Sequence, residues 1–297
     1  MSAETQIKNI LNDWSLWPDL CAEKPSINQV SPLLAGLTNS NWLLEIENAK
    51  SNGIAQQYII RINATNNLAL KLNRESEWDM HQTISRYDIC PAFLYRDPQD
   101  IYWIRPFLKT HTLQKTLVND SSFIDTAFLI KVAKLFSTIH KIPTSNTWPK
   151  IHFLELIDHY WQQIEPQLNL PCSGSAQQLL SIRKTLDSQL KGPNFTPCLC
   201  HMDPNPSNWI INDQYVHLID WEYAALGNKA WDLAGFIDSC QLNQQQVNVL
   251  LSHYKEADAS QLKMASRQMK YLSALWFYVQ NHLNDDSLLD ELRKLIY

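Results

Sequence analysis

The first hundred residues place short apolar runs between polar turns, with the two-residue period of half-buried strands. The runs NWLLEIE (41–47), QYIIRIN (57–63) and IYWIRPF (101–107) read as strands, and the polar turn NAKSNG separates the first two. KLNRESEWDMHQTISRY (71–87) has helical spacing instead. This pattern predicts a small α+β unit built on an antiparallel sheet.

After Phe107 the apolar spacing becomes helical. Ser121 or Ser122 is placed to cap a helix that runs toward His140. Its predicted apolar face consists of Phe128, Val132, Leu135, Phe136 and Ile139. Residues 152–168, 175–190 and the tail from residue 243 are also helical in pattern, and three strand-like pieces lie among them: PCLCHMD, NWIIN and YVHLIDWE. We therefore expect a sheet-rich front lobe over residues 1–107 and a larger, mostly helical rear lobe over residues 108–297.

Composition and charge narrow the possible functions. The chain has 297 residues, a formal net charge of −5 and no run of Lys or Arg, which argues against a nucleic-acid or anionic-membrane surface. The N-terminal segment lacks the pattern of a signal peptide, and no apolar run is long enough to span a bilayer. The six cysteines do not form a disulfide framework. We expect a cytoplasmic protein that acts on a small molecule, with no protein partner evident.

The segment HMDPNPSN has the spacing H-x-D-x-x-x-x-N, which is also found in the catalytic loop of protein kinases. A turn between the two residues lets a carboxylate and an amide oxygen face one point. Asp203 could accept the proton of an attacking hydroxyl. Asn208 could offer a neutral oxygen to Mg²⁺. His201 is expected to support this loop through hydrogen bonds rather than to take part in the chemistry.

A second carboxylate follows at the end of an apolar strand. In HLIDWEY the strand delivers Asp220, and a carboxylate in that position is costly unless it binds a cation or strong donors. Asp220 is therefore the natural second ligand for Mg²⁺, which takes one or two protein oxygens along with phosphate oxygens and water. Asp232, in WDLA, is expected to accept hydrogen bonds from loop N–H groups at the start of a helix.

The stretch CLCH directly before this loop permits two other interpretations, a zinc site or a cysteine nucleophile. It lacks a second ligand pair at zinc-finger spacing. In a strand, Cys198 and Cys200 would lie on one face, where buried cysteines behave as small hydrophobes. A cysteine nucleophile would also leave Asn208 and Asp220 unexplained. We therefore favour the kinase interpretation.

Together H-x-D-x4-N, I-D-W-E-Y and W-D-L-A make the chain similar to the aminoglycoside phosphotransferase and choline kinase superfamily. The resemblance covers nearly the whole chain, including KLFSTIHKIP, which resembles a family helix that ends in L-x-x-x-H. It implies an α+β, bilobal, protein-kinase-like fold with a small antiparallel-sheet N-lobe and a larger helical C-lobe. It also implies ATP as co-substrate with Mg²⁺, and His201 and Asp232 as structural support.

The resemblance extends to the nucleotide-binding lobe. LLAGLTNSNWLLEI resembles the family's phosphate loop, although it has only Gly36 where protein kinases have G-x-G-x-x-G. YIIRIN carries Arg61 where protein kinases have Lys. NRESE resembles the start of the helix whose glutamate pairs with this basic residue. IYWIRPFL resembles the hinge segment that contacts adenine. In that helix Glu75 fits the glutamate best and Glu77 less well. The implied nucleotide-binding residues are Thr38, Asn39, Ser40, Arg61, Glu75, Arg105 and Phe107.

The acceptor alcohol is indicated by weaker similarities. LELIDHYWQQIEP, LIDWEYA and LSALWFYVQ resemble segments of bacterial thiamine kinases, whereas WDLA is closer to choline-type kinases. Both substrates are primary alcohols on a cationic body, which an acidic, aromatic pocket would suit through cation–π contacts. The candidate substrate residues are Trp221, Glu222, Tyr223, Trp276 and Tyr278.

We therefore expect an ATP- and Mg²⁺-dependent phosphotransferase that acts on a small cationic alcohol, with thiamine as the first candidate. Choline or ethanolamine phosphorylation is the alternative within the same chemistry. A pseudokinase that only binds nucleotide is the alternative from another class. The complete set of base, metal ligands and basic strand residue argues against it. An aminoglycoside acceptor is less favoured because the sequence has no acidic cluster suited to a polycation.

Overall fold

The structure is a computed structural model. It describes all residues except 1–2, 18–19, 21–22, 34–37, 48–54, 66, 110, 120–122, 169–173, 193, 213, 256–258 and 297. The described residues divide into two compact units. Unit 1 contains residues 1–67 and 81–110, and unit 2 contains residues 68–80 and 111–297. In the described helices, no segment is long and apolar enough to cross a membrane.

Unit 1 is built on a five-stranded antiparallel sheet with the order β1-β2-β3-β5-β4. The strands are β1 (Ser26–Pro32), β2 (Ser40–Glu47), β3 (Gln56–Ile62), β4 (Tyr95–Arg96) and β5 (Tyr102–Pro106). The three strands predicted from the sequence are β2, β3 and β5, and the structure confirms them. In β2 the side chains of Trp42, Leu44 and Ile46 are buried in alternation, as a sheet with one face on a core requires.

Helix α1 (Ala3–Asn12) and the strands β1 and β4 of unit 1 were not predicted. Helix α1 places Ile7 and Ile10 in the core cluster that also holds residues of β2, β3 and β5. Strand β1 has no fully buried residue, so it lacks the alternation by which strands are recognised. It is a strand because it pairs with β2 along the sheet edge. The predicted turn NAKSNG and Gly36 lie outside the described residues.

Unit 2 is mostly helical. Its helices are α2 (Asn67–Leu70), α4 (Leu113–Asn119), α5 (Thr126–Ile139), α6 (Phe153–Ile164), α7 (Gly174–Gln189), α8 (Lys229–Ser239), α9 (Gln244–His253), α10 (Ala259–Val279) and α11 (Asp285–Arg293). Helix α3 (Arg74–Ile84) begins in unit 2 and ends in unit 1. A large apolar core draws side chains from α6, α7, α8, α10 and α11. The structure thus confirms the predicted helices over 152–168, 175–190 and the tail.

The start and the apolar face of α5 differ from the prediction. Asp125 is the N-cap, and its carboxylate accepts a hydrogen bond from the Phe128 backbone N–H at 2.8 Å. Ser121 and Ser122 precede this cap and lie outside the described residues. Leu135 is only half-buried, because the buried face turns toward Leu129 and Ala133.

Residues 68–80 group with unit 2, and four side chains from three parts of that unit bind them. His159 and Gln163 of α6 donate hydrogen bonds to the Ala69 carbonyl at 3.1 and 2.9 Å. Trp148 donates to Asp79 at 2.7 Å. Further along the chain, Glu222 accepts from Arg74 at 3.1 Å. These contacts tie the beginning of α3 to the unit that carries the candidate catalytic loop.

The short strands of unit 2 position that loop. Strands β6 (His111–Thr112), β8 (Trp209–Ile211) and β9 (Val216–Leu218) form one antiparallel sheet in the order β6-β8-β9. Strand β7 (Cys198–Cys200) pairs with β10 (Ala225–Gly227). The loop between β7 and β8 and the segment after β9 therefore emerge from small, paired strands with buried side chains.

Candidate active site

The loop that follows β7 has a constrained backbone. Asn205 caps the short 3₁₀ helix Pro206–Asn208, and its side-chain oxygen accepts from the Ser207 N–H at 3.0 Å. Pro206 stands at the start of that turn, where its fixed φ fits. Met202 has φ 71°, a left-handed conformation that non-glycine residues rarely adopt. Such strain persists only when surrounding contacts hold it, and it is concentrated at functional sites.

Asp232 supplies these contacts from the first turn of α8. Its carboxylate accepts hydrogen bonds from the backbone N–H groups of His201, at 2.9 Å, and Met202, at 2.8 Å. It also accepts from the Nε2 of His140 at 3.0 Å, and the Nδ1 of His140 lies 2.7 Å from the hydroxyl of Tyr254. Asp232 is fully buried, so its charge is stabilised by these donors rather than by water.

His201 braces the loop from inside. Its Nδ1 accepts from the Asp203 N–H at 3.2 Å, which leaves Nε2 to donate to the Ile219 carbonyl at 2.9 Å. Burial lowers the pKa of His201 to about 4, so the ring is neutral at pH 7. Its ring also packs edge-on against Trp221, with centroids 4.6 Å apart. His201 thus connects the loop to the segment that carries Asp220.

The half-buried Asp203 carboxylate is held by two amides. Asn205 donates from Nδ2 to both carboxylate oxygens at 2.8 and 2.9 Å, and Asn208 donates to Oδ2 at 3.0 Å. Burial raises the pKa of Asp203 to about 6, the two amide hydrogen bonds lower it, and the nearby charges of Glu222 and Asp232 raise it. A carboxylate with a pKa near the working pH is suited to accept a proton.

Asn208 and the Asp220 segment are joined through the backbone. The Ile219 N–H donates to the Asn208 carbonyl at 2.8 Å, which extends the β8–β9 pairing by one step. The amide nitrogen of Asn208 is directed to Asp203, so its Oδ1 is available as a ligand, with only a 3.5 Å contact from Ser207. Asp220 has φ 68°, a conformation that Asp tolerates better than most residues. An amide oxygen and a carboxylate on adjoining backbone fit a hard cation such as Mg²⁺.

A buried ion cluster lies beside this loop. Arg74 donates from Nη1 to Glu77 at 2.8 Å and to Glu222 at 3.1 Å, and all three side chains are almost fully buried. Glu75, by contrast, is exposed. Arg74 was not among the residues predicted from the sequence. The signal that could have found it is its i,i+3 spacing to Glu77 at the start of a predicted helix.

The five candidate substrate residues have different surroundings. Trp221 is fully buried and donates to the Leu218 carbonyl at 2.7 Å. Tyr278 is also buried, and its hydroxyl donates to Asp285 at 2.7 Å. Tyr223 and Trp276 are half-buried and joined by a 2.8 Å hydrogen bond from the indole nitrogen to the phenol. Glu222 is buried in its ion pair with Arg74, so the Tyr223–Trp276 pair is the most accessible part of this set.

The candidate nucleotide residues lie in unit 1, except Glu75. Arg61 is buried, donates to Asn63 at 3.0 Å, and lies over the ring of Trp103 at 4.4 Å. Asn39 is buried, and its side-chain oxygen accepts from the Ala64 N–H at 3.1 Å. The remaining members are half-buried: Thr38, Ser40, Arg105 and Phe107. The register of β2, β3 and β5 places Asn41, Arg61 and Trp103 side by side.

The model of the choline/ethanolamine kinase family matches residues 30–295, nearly the whole chain. The chain belongs to the choline/ethanolamine kinase family. It is accordingly a small-molecule kinase, a phosphotransferase with an alcohol group as acceptor. The resemblance inferred from the sequence motifs is confirmed.

Two relatives match different shares of the chain. The LicA homolog of Mycoplasma capricolum subsp. capricolum is 23% identical over 201 residues, which are 67% of this chain and 76% of that protein. Thiamine kinase of Escherichia coli O1:K1 / APEC is 29% identical over 151 residues, 50% of this chain and 52% of that protein. The second alignment thus spans only about half of either chain.

Solved structures confirm the protein-kinase-like α+β fold. The choline kinase LicA from Streptococcus pneumoniae superposes with a TM-score of 0.71 at 21% identity and covers 98% of each chain. The ADP-bound aminoglycoside phosphotransferase APH(2'')-Ib gives a TM-score of 0.66 at 16% identity, over 100% of this chain and 97% of that one. At identities of 21% and 16%, these two structures show only that the fold is shared.

The raised pKa of Asp203 predicts an acidic limit to the activity. If Asp203 is the base, kcat/KM should fall roughly tenfold per pH unit below about pH 6, because the carboxyl becomes protonated. Asn205→Ala removes a donor that lowers this pKa, so the acidic limb should move to higher pH. The measurement is a pH profile of kcat/KM at saturating Mg²⁺. Asn212→Ala is the matched control, since the side chain of Asn212 accepts hydrogen bonds only from its own turn among the described residues. An acidic limb at the same pH in the Asn205→Ala and Asn212→Ala variants would refute the assignment.

Proposed function

We propose that this chain transfers the γ-phosphoryl group of ATP to the hydroxyl of a small cationic alcohol, with thiamine as the first acceptor. The observation that carries the proposal is the catalytic loop itself. One carboxylate with a pKa near 6 and one amide oxygen share a braced turn, in a chain of the choline/ethanolamine kinase family. Phosphoryl transfer needs mainly this kind of positioning, along with charge neutralisation.

Each loop residue has one part in the proposed reaction. Asp203 orients the acceptor hydroxyl and takes its proton as the oxygen attacks phosphorus. His201 and Asp232 keep the loop in place and do not touch the reacting atoms. Asn208 and Asp220 would hold Mg²⁺, which when bound neutralises charge on the phosphates. In unit 1, Arg61 is proposed to contact phosphate, with Thr38, Asn39 and Ser40 at the phosphate loop.

The proposed acceptor is cationic because the residues around the loop are acidic and aromatic. Glu222 lies near enough to Asp203 to raise its pKa, and Tyr223 and Trp276 provide half-buried ring faces. A cation near this carboxylate and these rings would be stabilised by charge and cation–π contacts. Thiamine is favoured by the 29% identity to thiamine kinase. Choline is the second candidate, since the family model covers residues 30–295.

The experiment is a panel of alcohols assayed for ADP release at saturating ATP and Mg²⁺. Thiamine should give the highest kcat/KM, choline and ethanolamine lower values, and an aminoglycoside the lowest. Choline exceeding thiamine would replace the first acceptor by the second. ATP binding without ADP release for any alcohol, including choline, would instead favour the pseudokinase interpretation.

Asp220→Asn tests the metal assignment. Asparagine tolerates the left-handed backbone at this position, so the loop should keep its shape while a charged ligand is lost. The Mg²⁺ concentration for half-maximal activity should rise by at least about tenfold, since even the loss of an outer-shell partner costs about 10–100-fold. Asp238→Asn, near the end of α8 and paired with Lys270, is the control. An unchanged Mg²⁺ dependence in Asp220→Asn would rule out its role as a ligand.

A further inference from the structure

Behind the catalytic loop, three potential metal ligands converge on a place that the proposed phosphoryl transfer does not use. The sulfur atoms of Cys198 and Cys200 and a ring nitrogen of His140 all lie within 4.8 Å of one another. Cys198 and Cys200 project from the same face of β7, and His140 ends α5. Cys200 is fully buried, whereas Cys198 is half-buried.

The spacing of the two sulfurs fits a metal ion better than a covalent bond between them. They are 3.9 Å apart. Two thiolates bound to one tetrahedral Zn²⁺ at about 2.3 Å each are separated by roughly 3.8 Å. A disulfide would require about 2.05 Å, and the sulfurs would have to move much closer along a strand that is paired with β10. The thiols therefore already have the separation of a bis-thiolate metal site.

The charge balance also suits a divalent cation. Binding releases two protons to solvent, one from each thiol, and the 2+ charge is then matched by two thiolates. A neutral imidazole completes three ligands, and a solvent molecule can take the fourth position from the Cys198 side. No uncompensated charge is buried by this exchange, which is the condition for a metal in an apolar interior. Mg²⁺ prefers oxygen ligands and does not compete for sulfur.

Metal binding at Cys198, Cys200 and His140 would affect the catalytic loop through the hydrogen bonds of His140. Both ring nitrogens of His140 are engaged, Nδ1 with Tyr254 and Nε2 with Asp232, so ligation must break one of these hydrogen bonds. Asp232 is the residue that holds the N–H groups of His201 and Met202. In addition, Cys200 directly precedes His201 in the chain. A metal bound here would therefore be connected to the loop backbone twice, through His140 and Asp232 and through the peptide bond between Cys200 and His201.

We propose that Cys198, Cys200 and His140 form a binding site for a thiophilic divalent cation, Zn²⁺ or Cd²⁺, and that its occupation slows phosphoryl transfer by breaking a hydrogen bond of the Tyr254–His140–Asp232 chain that supports the catalytic loop. The binding part of this inference does not depend on which alcohol is the acceptor. The inhibitory part rests on the proposed function, and the two are read out separately.

Binding is measured on the chelator-treated chain of 297 residues by titration with Cd²⁺ at saturating Mg²⁺, and it is followed through cadmium–thiolate charge-transfer absorbance. Cys198→Ser should weaken Cd²⁺ binding at this site by more than about 100-fold, since loss of an outer-shell partner alone costs about 10–100-fold. Cys240→Ser is the matched control, because Cys240 is a half-buried cysteine at the end of α8 and outside the cluster. It should bind Cd²⁺ like the unsubstituted chain.

Equal absorbance and affinity in Cys198→Ser and the unsubstituted chain would overturn the site. A second measurement avoids substitution altogether. Cd²⁺ should protect Cys198 from alkylation by iodoacetamide in peptide mapping, and undiminished alkylation of Cys198 at saturating Cd²⁺ would also overturn it. For the inhibitory part, Cd²⁺ should lower ADP release in the unsubstituted chain and Cys240→Ser but not in Cys198→Ser. Equal inhibition of all three proteins would contradict it, even with binding confirmed.

Discussion

Replacing Asp203 with asparagine should lower kcat by about 10²–10⁴-fold, the usual contribution of a positioned general base. The substitution keeps the shape of the side chain and removes its ability to accept a proton. ATP binding should change little, because the assigned nucleotide residues are elsewhere in the chain. The measurements are steady-state ADP release and a separate ATP-binding titration. A kcat within tenfold of the unsubstituted enzyme would exclude Asp203 as the base.

The pKa of Asp203 also provides a control for folding. Because the folded state raises this pKa to about 6, the fold favours the protonated carboxyl. Its stabilising contribution is present at low pH and is lost as the pH rises through 6. Asp203→Asn should therefore not unfold the chain at pH 7. Asp290→Asn, an exposed substitution on α11, is the matched variant and should leave both kcat and stability unchanged.

Replacing Asp232 with alanine should have the largest effect on stability. It leaves the buried N–H groups of His201 and Met202 without their acceptor and removes the partner of His140. We expect a loss of about 3–5 kcal/mol in the free energy of unfolding, the usual cost of breaking a buried, hydrogen-bonded ionic group. Urea denaturation measures this loss.

The control for Asp232→Ala lies two turns along the same helix. Asp238 pairs with Lys270 at 3.0 Å on the partly exposed side of α8, so Asp238→Ala should cost less than about 1 kcal/mol. Asp232→Asn separates stability from positioning. It retains one acceptor oxygen, which cannot serve Met202 on one side and His201 with His140 on the other, so kcat should still fall. Similar unfolding free energies for the Asp232→Ala and Asp238→Ala variants would refute this role of Asp232.

The elements that could be predicted from the sequence are those with a strong period or a motif with a mechanical reason. β2 alternates buried and half-buried side chains, and α6 has a regular apolar stripe, so both were found. Asp203, Asn208 and Asp220 were selected because the spacing of two oxygen ligands and a base has a chemical meaning. The structure then showed how the paired strands β8 and β9 join the last two through the backbone.

The elements that were missed depend on contacts remote in sequence. β1 has no alternation and is a strand only through its pairing with β2. The N-cap of α5 is Asp125 rather than Ser121 or Ser122, because the local sequence offers several capping residues and packing selects one. The link between Arg74 and Glu222 spans 148 positions, and no local pattern encodes such a pair. Likewise, the approach of His140 to Cys198 and Cys200 follows from where α5 packs.

The most direct test of the central claim is the identity of the phosphorylated product when thiamine and choline compete in one reaction. The chain is incubated with ATP, Mg²⁺ and equal concentrations of both alcohols, and ³¹P NMR identifies the phosphate monoesters. The proposal predicts thiamine monophosphate as the main product, in equal amount to ADP and absent in the Asp203→Asn variant. Phosphocholine as the main product would contradict the acceptor. Inorganic phosphate at a rate independent of both alcohols would contradict transfer to a hydroxyl.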